Sequence, residues 1–206
     1  MYTFITLALP TILLASLTGS TTPSRLETVL NEVAASEALV VEVATPVEKV
    51  AVVEPEVSCV GCNENEIETL EYLWEYGIKD KVALATIMGN IKQESNFNAN
   101  ICEGGALVPY NRCYSGGYGI IQWTTASRYR GLGQFAAKYG GDPSTIATQL
   151  RYMVEEVQWK RAANTFKTPG LSVGSYMNAA YGWLGWGIHG NRTYYANQYL
   201  NKVQIN

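Results

Sequence analysis

The chain has 206 residues, of which 47% are hydrophobic, so it is long enough and apolar enough for one ordinary domain with additional segments. Its formal net charge of −3 is unevenly spread: residues 23–63 contain seven acidic and two basic residues, whereas residues 64–206 carry a net charge of +2. No basic stripe is interleaved with aromatic residues, which argues against nucleic acid as a partner.

Residues 1–22 form an apolar N-terminal segment with hydrophobic runs at Phe4–Leu9 and Ile12–Leu17. Such a segment, followed by small residues, is typical of a secretory signal peptide, although basic residues before the apolar run are missing. A membrane anchor, a membrane-inserting tip and a packed tail are the alternatives. Because Pro10 interrupts the run and its length is marginal for a span, we expect any membrane contact to involve residues 4–17.

Residues 23–63 are rich in Val, Ala, Glu, Thr and Pro and contain no aromatic residue. A segment of this composition can bury little surface, so we predict an extended, acidic linker. We expect the folded domain to occupy residues 64–206.

The folded domain is predicted to begin with two helices. Asn63 and Glu66 have the spacing of a capping box, and Gly77 is a natural helix end. Asp80 is the predicted cap of the second helix. The apolar residues at helical spacing are Ile67, Leu70 and Trp74 in the first helix and Leu84, Ile87, Met88 and Ile91 in the second.

Further helices and one strand complete the predicted domain. Residues 96–117 are rich in Asn and Gly and are predicted as a loop, and residues 118–123 are the best strand candidate. Apolar spacing predicts helices at 126–139, 144–160, 172–184 and 192–203. The predicted fold is therefore mainly α, with two helical lobes and a small β element at a cleft between them.

Glu94 is the most informative acid, because it continues the apolar stripe of the second helix and lies at the end of that helix. Burial disfavours the carboxylate anion, and the negative end of the helix dipole disfavours it too. Both effects raise the pKa of Glu94 and favour a neutral acid that can protonate a glycosidic oxygen. Ser95 and Asn96 are placed to orient this carboxyl or to form the turn. An ordinary solvated glutamate is the alternative.

Two motifs stand out, Glu94-Ser95-x-Phe97-Asn98 and Gly117-Tyr118-Gly119-Ile120-x-Gln122-Trp123. They resemble motifs of the lysozyme-like superfamily, and the fuller pattern resembles the phage tail lysozyme family over roughly residues 66–200. The resemblance implies cleavage of the β-1,4 bond between N-acetylmuramic acid and N-acetylglucosamine. It also implies that Glu94 is the catalytic acid and that Gln122 contacts sugar in the cleft. Residues 1–60 are outside the resemblance.

Three aromatic residues are candidate sugar contacts. Tyr118 and Trp123 are expected either to stack on sugar rings or to belong to the core. Asn178-Ala179-Ala180-Tyr181-Gly182 is similar to the Ala-Tyr-Asn-Ala-Gly motif of lytic transglycosylases, except that Gly182 replaces Asn. This similarity implies that Tyr181 forms a hydrogen bond near Glu94, and a core tyrosine is the alternative.

A second catalytic carboxylate is difficult to find in the sequence. Glycosidases that use two carboxylates hold them about 5–10 Å apart. Glu103 is the local candidate, and a solvated loop charge is its alternative role. A single-acid mechanism is attractive, in which Glu94 protonates the leaving oxygen and its carboxylate then deprotonates the muramyl 6-hydroxyl or a water. The first route gives an anhydro sugar and the second is hydrolysis.

The four cysteines fall into two local pairs. A disulfide between Cys102 and Cys113 is expected in an exported protein and would stabilise the loop near the cleft by about 2–3 kcal/mol. Cys59 and Cys62 are compatible with a tight disulfide, a redox pair or half of a zinc site. We expect no metal and no cofactor for the reaction.

Two other functions are compatible with the sequence. Cys113, His189 and Asn191 are the residue types of a cysteine amidase or peptidase acting on peptidoglycan. A catalytically silent glycan-binding or virion structural module is the other alternative. In each case the expected partners are peptidoglycan and phage tail or virion proteins. The expected location is a phage virion, or the periplasm or extracellular space after export.

Overall fold

The computed structural model describes residues 56–114 and 116–206. The predicted N-terminal segment 1–22 and most of the predicted linker lie outside the described residues. The described part contains two short strands and seven α-helices. They are β1 Val57–Cys59, α1 Glu64–Glu75, α2 Lys81–Ser95, α3 Ala126–Tyr139, α4 Ile146–Glu155, α5 Val157–Lys167, α6 Val173–Leu184, α7 Arg192–Lys202 and β2 Val203–Ile205. The mainly α fold with a small β element is therefore confirmed.

The two strands lie near opposite ends of the described chain and pair with each other. β1 pairs antiparallel with β2, with Val57 opposite Ile205 and Cys59 opposite Val203. Val57 and Val203 are buried, so the pair closes one side of the core. β1 lies before Asn63, where folded structure was predicted to begin. The sequence did not indicate this strand, because its three residues acquire a strand partner only from the distant C-terminus.

Both predicted helix starts are confirmed. Asn63 accepts a hydrogen bond from Glu66 N at 2.9 Å and donates one from its own backbone N to the Glu66 carboxylate at 2.8 Å, which completes the capping box. Asp80 Oδ1 accepts from the backbone N of Val82 and Ala83 at 2.8 and 2.9 Å. These local hydrogen bonds fix where α1 and α2 begin.

The buried face of α1 differs from the predicted one. Its buried residues are Glu66, Thr69, Leu70 and Leu73, whereas Ile67 is exposed at its surface. The predicted face was based on apolar residues alone, whereas the buried face of α1 includes the polar residues Glu66 and Thr69. Glu66 instead faces inward, where Tyr199 of α7 and Lys92 of α2 donate hydrogen bonds to it.

Helix α2 is the central helix and packs closely against α7. Most of α2 is buried, including Leu84, Ile87 and Ile91 of its predicted face. Gly89 makes the close approach possible, since a Cβ at this position would lie 2.7 Å from the Cα of Ala196 on α7. The absence of a side chain at Gly89 therefore sets how near the two helices come.

The prediction of a strand at residues 118–123 was wrong. Tyr118 forms an isolated bridge with Cys102, and the following residues form turns. Gly119 and Gln122 adopt positive φ values of 76° and 52°, which a strand does not contain. The backbone N of Ile120 donates to the buried side chain of Gln149 at 2.8 Å instead of to another strand.

The predicted helix at 144–160 is two helices, α4 and α5. Glu156 between them has an extended conformation, with φ −65° and ψ 143°. Its carboxylate accepts hydrogen bonds from the indole of Trp123 at 2.9 Å and from Arg128 at 2.7 and 2.8 Å. The break between α4 and α5 directs the Glu156 side chain inward, where it contacts Trp123 and Arg128. In an uninterrupted helix it would not reach these partners.

Within residues 56–114 and 116–206, no helix is long and apolar enough to cross a membrane. The predicted membrane contact through residues 4–17 lies outside the described residues.

Candidate active site

Glu94 lies in the last turn of α2, and the chain turns away sharply after it. Asn96 and Phe97 adopt positive φ values of 53° and 61°, which ends the helix directly beyond the acid. The Glu94 side chain is only 15% exposed. The carboxyl is therefore largely shielded from water but still reachable from the surface.

Arg192, the first residue of α7, forms a hydrogen-bonded ion pair with Glu94. The close contact of Gly89 with Ala196 brings the start of α7 alongside the end of α2. The guanidinium also donates to the carbonyl oxygen of His189 at 2.9 Å, and it lies over the ring of Trp186 at 4.6 Å from the centroid. These contacts hold a buried cation against the acid.

The surroundings of Glu94 favour its neutral form. Burial raises the pKa of the Glu94 carboxyl above its usual value, and this effect outweighs the cations of Arg192 and Arg128, which lower the pKa. A carboxyl with a raised pKa remains able to donate a proton at higher pH than an ordinary glutamate does. Once it has lost that proton, Arg192 is in place to stabilise the anion.

Ser95 and Gln122, two predicted substrate contacts, connect the end of α2 to the 118–123 turns. Ser95 is buried, and its hydroxyl donates to the carbonyl oxygen of Ile120 at 2.8 Å and accepts from the backbone N of Phe97 at 3.1 Å. Gln122 is half-buried, and its side chain donates to the carbonyl oxygen of Gly119 at 3.1 Å. Ser95 therefore holds the turn after Glu94 in place, whereas the amide oxygen of Gln122 accepts no hydrogen bond from residues 56–114 and 116–206.

Tyr118 and Trp123, also predicted to contact sugar, are fully buried. The hydroxyl of Tyr118 donates to the carbonyl oxygen of Val108 at 3.1 Å, and the indole of Trp123 donates to Glu156. Neither ring presents a face to a ligand in this structure, so both are core residues. Stacking requires an exposed ring, and a sequence pattern alone does not distinguish a buried aromatic residue from an exposed one.

Tyr181 lies in a different place from the one that the transglycosylase motif implies. Its ring is 56% exposed and packs edge-on against Trp186, with centroids 5.2 Å apart. Among the described residues, no hydrogen bond joins Tyr181 to Glu94. Tyr181 instead lines a cavity of about 530 Å³ between α6 and α7.

The family model for phage tail lysozyme matches residues 64–203. The chain belongs to the phage tail lysozyme family. The comparisons with curated proteins and with solved structures found no match. The matched range covers all seven helices of the described part and includes Glu94 and Arg192, so the family supports a lysozyme-like role in degrading peptidoglycan.

Glu103, the candidate second acid, forms hydrogen bonds that hold a loop in place. Its carboxylate accepts from the backbone N of Gly117 at 2.9 Å, and its own backbone N donates to the carbonyl oxygen of Gly117 at 2.7 Å. Glu156, the other inward-facing acid near this region, is occupied by Arg128 and Trp123. Each of these carboxylates therefore already has hydrogen-bond donors.

The cysteines form two disulfides, Cys59–Cys62 and Cys102–Cys113. The second confirms the predicted bridge across the loop near the cleft. The alternative of a Cys113–His189–Asn191 amidase or peptidase is wrong for this structure, because a disulfide-bonded sulfur has no thiolate to act as a nucleophile. Among residues 56–114 and 116–206, no group of three His, Cys, Asp or Glu side chains is arranged to hold a metal ion.

Arg192 is the residue of the candidate site that the sequence did not reveal. It was placed at the start of a predicted helix, with no motif to mark it. Only the packing of α7 on α2 makes it the partner of Glu94. Gly89 was the one local sign that another backbone approaches α2, because a glycine inside a helical pattern usually has a packing or functional reason.

Proposed function

We propose that this chain is a peptidoglycan glycosidase that cleaves the β-1,4 bond between N-acetylmuramic acid and N-acetylglucosamine, with Glu94 as general acid and base. One observation carries the proposal: a largely buried carboxyl with a raised pKa lies at the end of α2 and is paired with a single buried cation, Arg192. Membership of the phage tail lysozyme family supports it.

The proposed mechanism uses the two protonation states of Glu94 in turn. The neutral carboxyl donates its proton to the leaving glycosidic oxygen. The resulting anion is stabilised by Arg192 and then removes a proton from a second group. If that group is the muramyl 6-hydroxyl, the product is an anhydro sugar, and if it is a water, the reaction is hydrolysis. Gln122 is proposed to contact sugar through its amide.

The contacts of the other acids support a mechanism with one carboxylate. For Glu103 to act as the second acid, it would have to give up its hydrogen bond from Gly117. For Glu156 to do so, it would have to leave Arg128 and the indole of Trp123. Separating Glu156 from a largely buried cation would be costly, so the proposal relies on Glu94 alone as the reacting acid.

The proposed setting is the phage particle or the host periplasm. The catalytic domain would reach the wall from the acidic linker that begins at residue 23 and precedes β1. Residues 1–22 would serve as a signal peptide or membrane anchor, with residues 4–17 in contact with lipid in the second case. Phage tail or virion proteins are the proposed partners in the particle, and peptidoglycan is the proposed substrate.

The deciding experiment is mass spectrometry of the muropeptides that the protein releases from purified peptidoglycan. We expect Glu94→Gln to fold normally and to release products about 10²–10⁴-fold more slowly, because the amide cannot donate the proton. Glu155→Gln is the matched control, since Glu155 is 58% exposed and pairs only with Lys160 at the surface. It should keep full activity.

Retention of full activity by Glu94→Gln would refute the assignment of the acid. Binding of the wild type to peptidoglycan without release of reducing ends or anhydro sugars would instead favour the silent binding module. The masses of the products also separate hydrolysis from anhydro formation, because the anhydro product is lighter by one water.

A further inference from the structure

The start of α7, which carries Arg192, has no cap from its own sequence. Asn191 precedes the helix, and an asparagine in this position commonly accepts a hydrogen bond from the backbone N of the first turn. Here its φ of −93° and ψ of 17° differ from the extended values at the starts of α1 and α2, and its side chain makes no capping hydrogen bond. Contacts from outside the helix therefore decide where α7 begins.

Gln93 supplies such a contact from α2. Its side-chain Oε1 accepts a hydrogen bond from the backbone N of Asn191 at 2.8 Å. In a capping box, this N–H is bound by a side chain in the first turn of the same helix, as the backbone N of Asn63 is bound by Glu66 in α1. Gln93 thus performs for α7, from another helix, what Glu66 performs within α1.

A glycine before Asn191 allows the Gln93 side chain to come this close. Gly190 has a φ of 59°, and a Cβ there would lie 2.9 Å from the Cδ and the Oε1 of Gln93. A larger residue would be strained at this φ and would press against the carboxamide. The end of the loop between α6 and α7 is therefore fitted to Gln93.

The guanidinium of Arg192 is held by the same stretch of chain. It donates to the carbonyl oxygens of Ile188 and His189 at 3.3 and 2.9 Å, and it lies over the ring of Trp186. The loop, the helix start and the guanidinium therefore form one unit. The position of this unit relative to the end of α2 sets how the guanidinium meets Glu94.

Two contacts hold that unit against α2. Gly89 packs against Ala196 in the second turn of α7, and Gln93 binds the residue before the first turn. The first contact sets the separation of the two helices, but one point of contact leaves α7 free to tilt. The second lies next to Glu94 in the sequence, so it fixes the end of α7 that forms the ion pair.

We propose that Gln93 is a positioning residue of the candidate active site, which caps α7 from α2 and thereby holds the Arg192 guanidinium against Glu94. Gln93 acts through Arg192 and not on the substrate. Its effect on cleavage rests on the proposed function, whereas its effect on the ion pair is measurable without any substrate.

An NMR titration of the Glu94 carboxyl in the free protein tests the proposal. Gln93→Met keeps the length of the side chain and removes the acceptor. Arg192 and Arg128 both lower the pKa of Glu94. Because only Arg192 is held through Gln93, this pKa should rise in Gln93→Met, in the same direction as in Arg192→Gln but less far. The backbone amide of Asn191 should exchange with solvent about tenfold faster, as expected for the loss of one hydrogen bond.

Three further variants separate this role from a general loss of structure. Gln198→Met is the matched control, because Gln198 is exposed on α7 away from its start, and it should leave the pKa of Glu94 unchanged. Gly190→Ala disturbs the same contact from the loop side and should raise this pKa even if Gln93→Met does not fold. The double variant Gln93→Met/Arg192→Gln should match Arg192→Gln alone, because the guanidinium through which Gln93 acts is gone.

An unchanged pKa of Glu94 in Gln93→Met and Gly190→Ala would overturn the proposal, as would unchanged exchange at Asn191. A further rise in the double variant would also overturn it, because Gln93 would then act on the carboxyl directly. Failure of the proposed function is a separate result, in which the wild type releases no muropeptides. If the wild type does cleave the wall, the alkaline limb of its pH profile should move to higher pH in Gln93→Met, and a limb that stays in place would contradict the positioning role.

Discussion

Two inward-facing glutamates, the buried Glu66 and the partly buried Glu94, have pKa values that the fold shifts in opposite directions. Glu66 lies in the first turn of α1 and Glu94 in the last turn of α2. Each is largely removed from water, and each has a cation within hydrogen-bonding distance. Nevertheless, the pKa of Glu66 is lowered and that of Glu94 is raised.

The number of hydrogen-bond donors explains the difference. Burial alone would raise the pKa of Glu66, but the Tyr199 hydroxyl, the backbone N of Asn63 and the Lys92 ammonium together outweigh it. Glu94 has one direct partner, Arg192, and there burial prevails. The helix ends act in the same sense, because the start of a helix favours an anion and its end disfavours one. Burial therefore does not identify a catalytic acid unless the donors are counted.

Helix α7 supplies a partner to both acids. Arg192 at its start reaches Glu94, and Tyr199, almost two turns later, reaches Glu66. Ala196 lies between them, against Gly89 of α2. The contrast between the two glutamates thus depends on one close helix crossing.

Gly89→Ala should have the largest effect, because it disturbs both acids at once. The added Cβ would meet the backbone of Ala196, which cannot rotate away as a side chain can. We expect a loss of about 3 kcal/mol in the free energy of unfolding, measured with urea, together with reduced wall cleavage. Gly182→Ala in α6 is the control, since nothing lies within 4 Å of its Cβ position. The free energy of unfolding of Gly182→Ala should increase by about 0.5–1 kcal/mol. An equal loss of stability in both variants would refute the close approach of α2 and α7.

The substitution Arg192→Gln removes the guanidinium that pairs with Glu94 and so tests the contribution of this partner alone. We expect about a 10²-fold loss in kcat/KM, because the carboxyl is no longer held in place. The pH profile should change as well. In the proposed mechanism, activity requires protonated Glu94 and is lost as pH rises through the pKa of this carboxyl, which Arg192 lowers. Its removal should therefore move the alkaline limb to higher pH.

Arg192→Lys is the matched variant for this shift. It keeps a cation beside Glu94, so its alkaline limb should remain near that of the wild type even if its rate falls. If Arg192 had a purely structural role, its substitution would lower activity equally at every pH. The alkaline limb of the pH profile would then stay in place. That result would contradict the electrostatic pairing.

Local signals in the sequence were sufficient for the helix framework but not for the site. Asn63 and Asp80 mark helix starts because a cap bonds to the backbone within three residues, which a sequence shows directly. Glu94 was selected as the candidate acid partly for a similar reason, since it continues an apolar stripe to a helix end, and the family resemblance implied its catalytic role. Arg192 and the inward position of Glu66 depend on α7, which lies about 100 residues or more further along the chain, and no local pattern reports such contacts.

The 118–123 segment was misread for a different physical reason. Its aromatic and β-branched residues have strand propensity, but this propensity describes side chains that pack well on a buried surface. Here Ile120 and Trp123 are buried, but the backbone of the segment forms turns and not a sheet. The positive φ values at Gly119 and Gln122 and the hydrogen bond from Ile120 to Gln149 hold the turns in place.

Of the substitutions Gly89→Ala, Arg192→Gln and Glu66→Gln, the last should have the smallest effect. It should lower the free energy of unfolding and leave catalysis unchanged. Both Glu66 oxygens accept hydrogen bonds, one from Lys92 and Tyr199 and the other from the backbone N of Asn63. A glutamine places an NH₂ against one set of donors, whichever way it turns. We expect a loss of about 2 kcal/mol near neutral pH, with the activity of the folded fraction unchanged. Glu64→Gln is the control for the charge at the helix start, because Glu64 is exposed, and it should cost less than about 1 kcal/mol.

The pH dependence of this loss tests the sign of the Glu66 shift. A carboxyl whose pKa is lowered by folding contributes stability above its unfolded pKa of about 4.3 and loses that contribution as pH falls through the folded pKa. The glutamine variant has no such group to protonate. The difference in unfolding free energy between wild type and Glu66→Gln should therefore be largest near neutral pH and shrink as the solution is acidified below pH about 4. If the gap instead grew on acidification, Glu66 would have a raised pKa like Glu94, and the contrast between the two acids would be lost.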